Sequence, residues 1–421
     1  PRTRGSAPIA RGDDMDIRRL MRPSFGGLEG GLFSSVSKAD VGEGAGRLIE
    51  QGTDILAWAD PFFPDPSIPE PVKRVMTAAV EDGFPAHYSM PIGRVELRRA
   101  IAQKVSRQTG LPIDPSRNVI VTPGSDTGLL YAMMPFIEPG DEVLVPEPTY
   151  PNAFLNPRLL GGITVTVPLR ADEGWQIDVA ELERRLTPAT KMVVICQPNN
   201  PTTTLYRRET LESLARFVVE NDLVLVCDQA FEDHVFDGRE LVAPATLPGM
   251  WERTLTVCSV SKGLGLSGFR IGYIYAHDAI MDVLYGGAVN VLGTAATVTS
   301  IGANEALGDE ALLDDIHARL VRRREIACEE LGSIPGVGMH PPETGILAWL
   351  DVSRLGTSQE IVAYLLEHAN VLVNPGDQYG EHGEGWVRLV YAAFADDDRA
   401  ASVFARIRDA LTELAREKGV A

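Results

Sequence analysis

The sequence predicts an α/β fold built on a mostly parallel sheet, and three observations carry that expectation. Short β-rich runs alternate with helical stretches from about residue 118 to residue 276. Those runs are apolar almost throughout, as in strands covered by helices on both faces. The chain is 421 residues long, 44% hydrophobic and 23% charged, which suffices for one large domain and one small one.

Along the chain, residues 1–14 read as disordered or extended, and residues 15–50 as one or two short helices broken by Gly26-Gly27 and Gly30-Gly31. The proline-studded stretch from Asp60 to Pro71 must be loop. Seven runs then read as strands: Asn118–Thr122, Glu142–Val145, Ile163–Val167, Lys191–Ile195, Leu223–Cys227, Thr254–Cys258 and Ile271–Ala276. In such sheets ligands lie beyond the carboxyl ends of the strands. The long uncharged run Val283–Asn304 is broken by Gly, Thr, Ser and Asn, so it reads as a buried or interfacial helix and not as a membrane span. A charged helix over Glu310–Leu331 leads to a small α+β region, with strands expected at Ile346–Leu350 and Val371–Val373 and a last helix at Ala400–Lys418. Arg322–Arg324 reads as a solvated helix face. The expected division is an N-terminal arm with part of a small domain (1–55), a large sheet domain (56–310) and a C-terminal small domain (311–421).

The formal charge is −19 and the pI is near 4.8, a balance that disfavours nucleic acid and anionic membranes as partners. Cys196, Cys227, Cys258 and Cys328 show no metal or redox spacing, and three of them end apolar strands. A reducing, cytoplasmic setting without disulfides or a metal site is expected. The first residues lack the apolar stretch of a secretory leader.

The chemistry concentrates in Ser259-Val-Ser261-Lys262-Gly-Leu-Gly-Leu-Ser-Gly-Phe-Arg270-Ile-Gly-Tyr273. A lysine at the mouth of a sheet, among small residues and near an arginine, can be desolvated into a nucleophilic amine that captures an aldehyde. Ser259, Ser261 and Arg270 suit a phosphate, so the run reads as a pyridoxal 5′-phosphate site. Asp228 ends an apolar strand, where its carboxylate either meets a cation such as a protonated pyridine or caps the next helix. Asn200 lies in the stiff turn Gln197-Pro-Asn-Asn200-Pro-Thr, which can hold its amide at a fixed angle or be an ordinary turn. Gly124, Ser125 and Asp126 join a strand to a helix, where backbone N–H groups can cradle phosphate. The Asp126 side chain is expected to point away or to cap, because a second anion would repel the first.

These stretches, with Glu147-Pro-Thr-Tyr150-Pro, Tyr88-Ser-Met-Pro-Ile-Gly93-Arg-Val-Glu-Leu97-Arg98, and Pro375-Gly376 through Arg388-Leu389, resemble the class I/II aminotransferases. The resemblance runs in the family's order from about residue 50 to 395. It implies the fold-type I architecture of pyridoxal-phosphate enzymes, with Lys262 as the Schiff-base and proton-transfer residue. It implies that Tyr150 stacks on the cofactor ring, Asp228 meets the ring nitrogen and Asn200 bonds the ring's 3′ oxygen. Arg388 would take the substrate α-carboxylate, and Tyr88 would reach the phosphate of the other subunit of a homodimer. The implied activity is amino transfer from an L-amino acid to a 2-oxo acid. The alternative is a lyase, β/γ-replacement or oxidative enzyme using the same α-carbanion.

Three departures surround the substrate side of this pattern. Phe231 stands where relatives usually carry a tyrosine that donates to the 3′ oxygen. Ala59 replaces a glycine near the substrate carboxylate, and Trp58 before it either shapes the pocket or packs in the core. Gln197 and Thr203 replace the first Asn and the last Gly of the family's N-P-x-N-P-T-G turn.

Overall fold

The computed structural model describes residues 43–420, so the expectations for residues 1–14 and most of 15–50 lie outside the described residues. The described chain opens with α1 (Glu43–Glu50) and β1 (Asp54–Ile55), then α2 (Glu70–Asp82) and α3 (Val95–Thr109). Pro71 sits in the first turn of α2, where its missing N–H has no partner to lose, and Gly83 closes the helix in the left-handed conformation. The segment between β1 and α2 is loop, as its prolines require.

All seven strands expected of the large sheet are present, within two residues of the expected bounds. They are β2 (Val119–Thr122), β3 (Glu142–Glu147), β4 (Ile163–Pro168), β5 (Thr190–Cys196), β6 (Val224–Asp228), β7 (Thr254–Ser259) and β8 (Gly272–Tyr275). Their spatial order is β2-β8-β7-β6-β5-β3-β4. β8 alone runs opposite to the other six strands. It is also the strand reached through the short turn after Lys262, whereas helical crossovers return the chain for most of the parallel pairs. Those helices are α4 (Ser125–Met133), α5 (Asn152–Leu160), α6 (Val179–Arg185) and α7 (Arg208–Glu220). Both faces are covered: Leu144, Val193, Ile195 and Leu225 pack with α7 residues, and Val121, Cys258 and Tyr273 with α3 residues, on one face, while Val257 on the other face meets Gly128 of α4.

Beyond the sheet come α8 (Asp278–Val291), α9 (Thr297–Gly308) and α10 (Glu310–Leu331). The uncharged run Val283–Asn304 is thus two helices, not the one expected, because Gly293 enters the left-handed region at φ 65° and turns the chain. No described helix is long and apolar enough to cross a membrane.

The C-terminal part holds β9 (Gly338–Met339), β10 (Leu347–Asp351), α11 (Ser358–Ala369), β11 (Val371–Leu372), β12 (Asn374–Pro375), β13 (Trp386–Val390) and α12 (Asp397–Glu417). β12-β13-β10-β9 form an antiparallel sheet, and β1 pairs in parallel with β11. β9, β12 and β13 went unrecognised in the sequence: two are dipeptides, and β13 follows a glycine-rich stretch. α11 starts with a reciprocal capping box between Thr357 and Glu360. The solvated face expected of Arg322–Arg324 is corrected at its centre. Arg323 is buried, donating to Asp397 at 2.7 and 2.9 Å and to the backbone carbonyls of Tyr391, Ala393 and Phe394, so it staples α10 to α12.

Candidate active site

The carboxyl ends of β2, β3, β5, β6 and β7 deliver Gly124, Tyr150, Asn200, Asp228 and Lys262 to one edge of the sheet. The sequence dictates this locally: each strand is an apolar run that stops at a Gly, Pro or polar residue, and the polar residue takes the rim.

Lys262 follows β7, and its Nζ donates to the Ala59 carbonyl. Burial brings this amine down to about 8, with Asp60 and Asp126 pulling it back up and Arg388 and Arg270 pushing it further down. Near neutrality a useful fraction of it is therefore unprotonated. Behind it lies a buried ionic buttress. Lys104 on α3 reaches Glu232 at 2.9 Å and Asp233 at 2.6 Å, and the Tyr273 hydroxyl donates to the same Glu232 oxygen at 3.2 Å. Burial alone would lower the Lys104 pKa, but Asp233 and Glu232 overcome it and keep the ammonium charged.

Asp228 is buried at the end of β6 and accepts from the Ala230 amide at 3.1 Å. Among the described residues it makes no ion pair, and burial pushes its carboxyl up to about 7. A carboxylate in that position is short of a cation.

Arg388 is the opposite case. It is buried on β13, between Trp349 of β10 and Asn374 of β12 in the sheet register. Its Nη2 donates to the Ala57 carbonyl, its Nη1 to Asn200 Oδ1 at 3.3 Å, and its Nε has no partner. Its guanidinium lies over the Tyr379 ring at 5.1 Å. No described carboxylate pairs with it. The alternate carbonyls of Ala57 and Ala59 thus bind Arg388 and Lys262, so one stretch of backbone brings both cations together. Asn374 Nδ2 holds that stretch from below by donating to Ala57 O at 2.7 Å.

The opposite end of the site is an anion cradle. Gly124 has φ 84°, and a Cβ there would run into the Arg270 guanidinium. Gly272 is pressed against the same loop: a Cβ on it would lie 2.6 Å from Ser125 N and from the Gly124 carbonyl carbon. Arg270 itself occupies the left-handed region at φ 53°, a strained backbone typical of functional positions. Ser259 and Ser261 are buried, the Ser259 hydroxyl accepting from the Ser261 amide at 2.9 Å.

The expectation for Asp126 is overturned. Its side chain neither points away nor caps the helix. Oδ1 accepts from the Tyr150 hydroxyl and from Asn152 Nδ2, both at 2.9 Å, and Oδ2 faces Arg270 at 3.7 Å. The turn after β3 supplies the two donors that hold the carboxylate there.

Phe231 is buried against Gly345, and Trp58 packs edge-on to Phe63 at 4.9 Å. Tyr88 is 94% exposed, and nothing among the described residues brings it to the site. Gln197 is structural: it exchanges hydrogen bonds with the Tyr206 backbone at 2.9 and 3.4 Å, substituting for a missing ladder. The sequence assigned no role to Asn152, Gly272, Asn374 or Tyr379. Only Gly272 carried a signal there, as the second glycine of Gly268-Phe-Arg-Ile-Gly272.

The carboxyl edge of a fold-type I sheet gathers a buried lysine with, among the described residues, a carboxylate short of a cation and an arginine short of an anion, a set that suits an enzyme acting at the α-carbon of an amino acid. The family model for aminotransferase class I and II matches residues 54–407, and the chain belongs to that family. It is 32% identical over 381 residues to a probable aspartate/prephenate aminotransferase of Aquifex aeolicus, covering 88% of this chain and 94% of that protein. It is 31% identical over 333 residues to aromatic-amino-acid aminotransferase 2 of Thermococcus litoralis, covering 78% and 85% of the two chains. A solved aspartate aminotransferase of Thermus thermophilus, a single mutant, superimposes with a TM-score of 0.79 at 30% identity, covering 94% of this chain and all of that one. Members of the family work with pyridoxal 5′-phosphate.

Proposed function

We propose that this chain is a pyridoxal-phosphate-dependent aminotransferase that moves the amino group of an L-amino acid to a 2-oxo acid. The observation that carries the reading is the complementary pair of uncompensated buried charges. Asp228 lacks a cation and Arg388 lacks an anion, with the Lys262 amine beside them. The residues fit the cofactor: the Gly124–Ser125 amides, Ser259, Ser261 and Arg270 match a phosphate, and Asp228 matches a protonated ring nitrogen. Tyr150 suits the ring face and Asn200 a ring oxygen. When bound, the cofactor supplies an electron sink for charge developing at the substrate α-carbon.

The chain's own residues do the rest. Arg388 binds the α-carboxylate through its planar fork, which fixes the Cα–H bond of the amino acid relative to Lys262. The neutral Lys262 amine accepts the Cα proton, and the Ala59 carbonyl orients it. Asp228 holds its proton partner in a dry environment, where its charge acts at full strength.

Tyr88 argues for a homodimer: a tyrosine 94% exposed, on the segment resembling the one that reaches across subunits, fits a neighbouring copy better than water. Its neighbours Phe84 and Met90 are exposed as well. We read residues 43–55 with 311–420 as the small domain and the intervening sheet as the large one. The unpaired buried thiols suit a reducing, cytoplasmic compartment.

The test combines borohydride trapping with product analysis. Peptide mapping of reduced holoenzyme should place the label on Lys262. Incubation with aspartate or aromatic amino acids plus 2-oxoglutarate should yield glutamate in step with the new 2-oxo acid. Label elsewhere, or 2-oxo acid released with ammonia and no glutamate, would reject amino transfer; the second outcome would favour elimination or oxidation.

A further inference from the structure

Among the described residues Asp126 is the one acidic side chain in the anion cradle, and it does two things at once. Its Oδ1 takes both the Tyr150 hydroxyl and Asn152 Nδ2 at 2.9 Å, tying the loop after β2 to the turn after β3. Its Oδ2 stands 3.7 Å from Arg270 Nη2, the guanidinium that packs over Gly124. We propose that Asp126 is a positioning residue that locks the Tyr150 ring in place and, with the same carboxylate, competes with the cofactor's phosphate for Arg270, thereby loosening the enzyme's hold on the cofactor. This rests on the reading of Gly124, Ser125 and Arg270 as the phosphate cradle.

The two roles separate by chemistry. Holding Tyr150 needs only an acceptor oxygen, which an amide also has. Competing for Arg270 needs negative charge, which an amide lacks. The Asp126 and Arg270 side chains are 48% and 50% exposed, so water screens their interaction and the effect of the charge is moderate. A carboxylate that shares Arg270 with a bound phosphate in such a half-open site would weaken binding by about tenfold.

The experiment titrates apoenzyme with pyridoxal phosphate, and separately with pyridoxal, following binding by absorbance and equilibrium dialysis. Asp126→Asn should lower the Kd for pyridoxal phosphate by about tenfold at low salt. The gain should shrink at high ionic strength, and pyridoxal, which has no phosphate, should change far less. Asp126→Ala also removes the acceptor of the Tyr150 hydroxyl, so it should bind pyridoxal phosphate more weakly than Asp126→Asn. Introducing Tyr150→Phe should erase most of that difference, since the phenol is then absent from both. Asp126→Ser, neutral and still an acceptor, replaces the Asn variant should that one fail to fold. The proposal is overturned if Asp126→Asn binds pyridoxal phosphate no tighter than wild type, or if pyridoxal gains as much. Arg270→Ala keeps the two readings apart. If it leaves the Kd of the phosphate form unchanged, the cradle is misassigned; if it weakens binding while Asp126→Asn has no effect, the cradle stands and the competition does not.

Discussion

Lys262 shows how a single residue's surroundings set its working pH. Its amine titrates at about 8 because burial disfavours the charged form. The rate at which apoenzyme captures pyridoxal phosphate should therefore rise with pH to a midpoint near 8, and not near the 10.5 of a free lysine. Stopped-flow absorbance across pH 6 to 10 measures it, and a midpoint near 10.5 would contradict the site's dryness. Arg388→Lys keeps a positive charge but loses the fork, so KM for the amino acid should rise by about 10- to 100-fold with a smaller change in kcat. Steady-state kinetics decides this, and an unchanged KM would move the carboxylate contact elsewhere. Phe231 is a hydroxyl short of the family pattern. In Phe231→Tyr holoenzyme the added donor should stabilise the ring phenolate, so the pH midpoint of the visible absorbance change should move down. No shift would mean that the ring oxygen is satisfied without residue 231.

Among the elements, the meeting of β8 with the loop after β2 carries the most consequence. Gly272 has no room for a methyl group, because a Cβ would meet backbone atoms of Gly124 and Ser125 at 2.6 Å. Backbone cannot swing aside as a side-chain end can. Gly272→Ala should displace the Gly124–Ser125 amides and weaken cofactor binding by at least about tenfold, with a stability loss of roughly 1–3 kcal/mol. Equilibrium dialysis and thermal melts of the apoenzyme report the two effects separately. Behind Lys262, the Lys104 buttress is worth testing by Lys104→Met. The change leaves Glu232 and Asp233 buried without their cation, and chemical denaturation should show a loss of about 3–5 kcal/mol.

For the whole molecule, Asp228 links cofactor, pH and stability. Its carboxyl is raised from 3.8 to about 7 by burial, so between those values the folded apoenzyme binds a proton that the unfolded chain does not. The resulting stabilisation is fully present below about 4 and is lost as pH rises through about 7. A bound cation at the ring nitrogen would compensate the carboxylate, so the Tm gap between holoenzyme and apoenzyme should widen from pH 5 to pH 8. In Asp228→Asn that pH dependence should largely vanish. A gap that stays constant in the wild type would deny Asp228 its cationic partner.

The sequence by itself determined the large sheet and the main residues of its rim. Continuous apolar runs such as Met192–Ile195 can only be buried on both faces, and each ends at the polar or turn residue that reaches the site. Lys262 and Arg270 were marked by local chemistry, as charged residues among small residues and glycines after an apolar strand, whereas Asp228 and Asn200 had a helix cap or an ordinary turn as a local alternative and drew their expected roles from the family resemblance. Only the tertiary structure decided what depends on contacts between distant segments. It turned Asp126 toward Tyr150 and Asn152, buried Arg323 between two helices, and set Ala57 and Ala59 against two cations far along the chain. Burial and hydrogen-bond geometry depend on which segments meet, and strand periodicity carries no record of that.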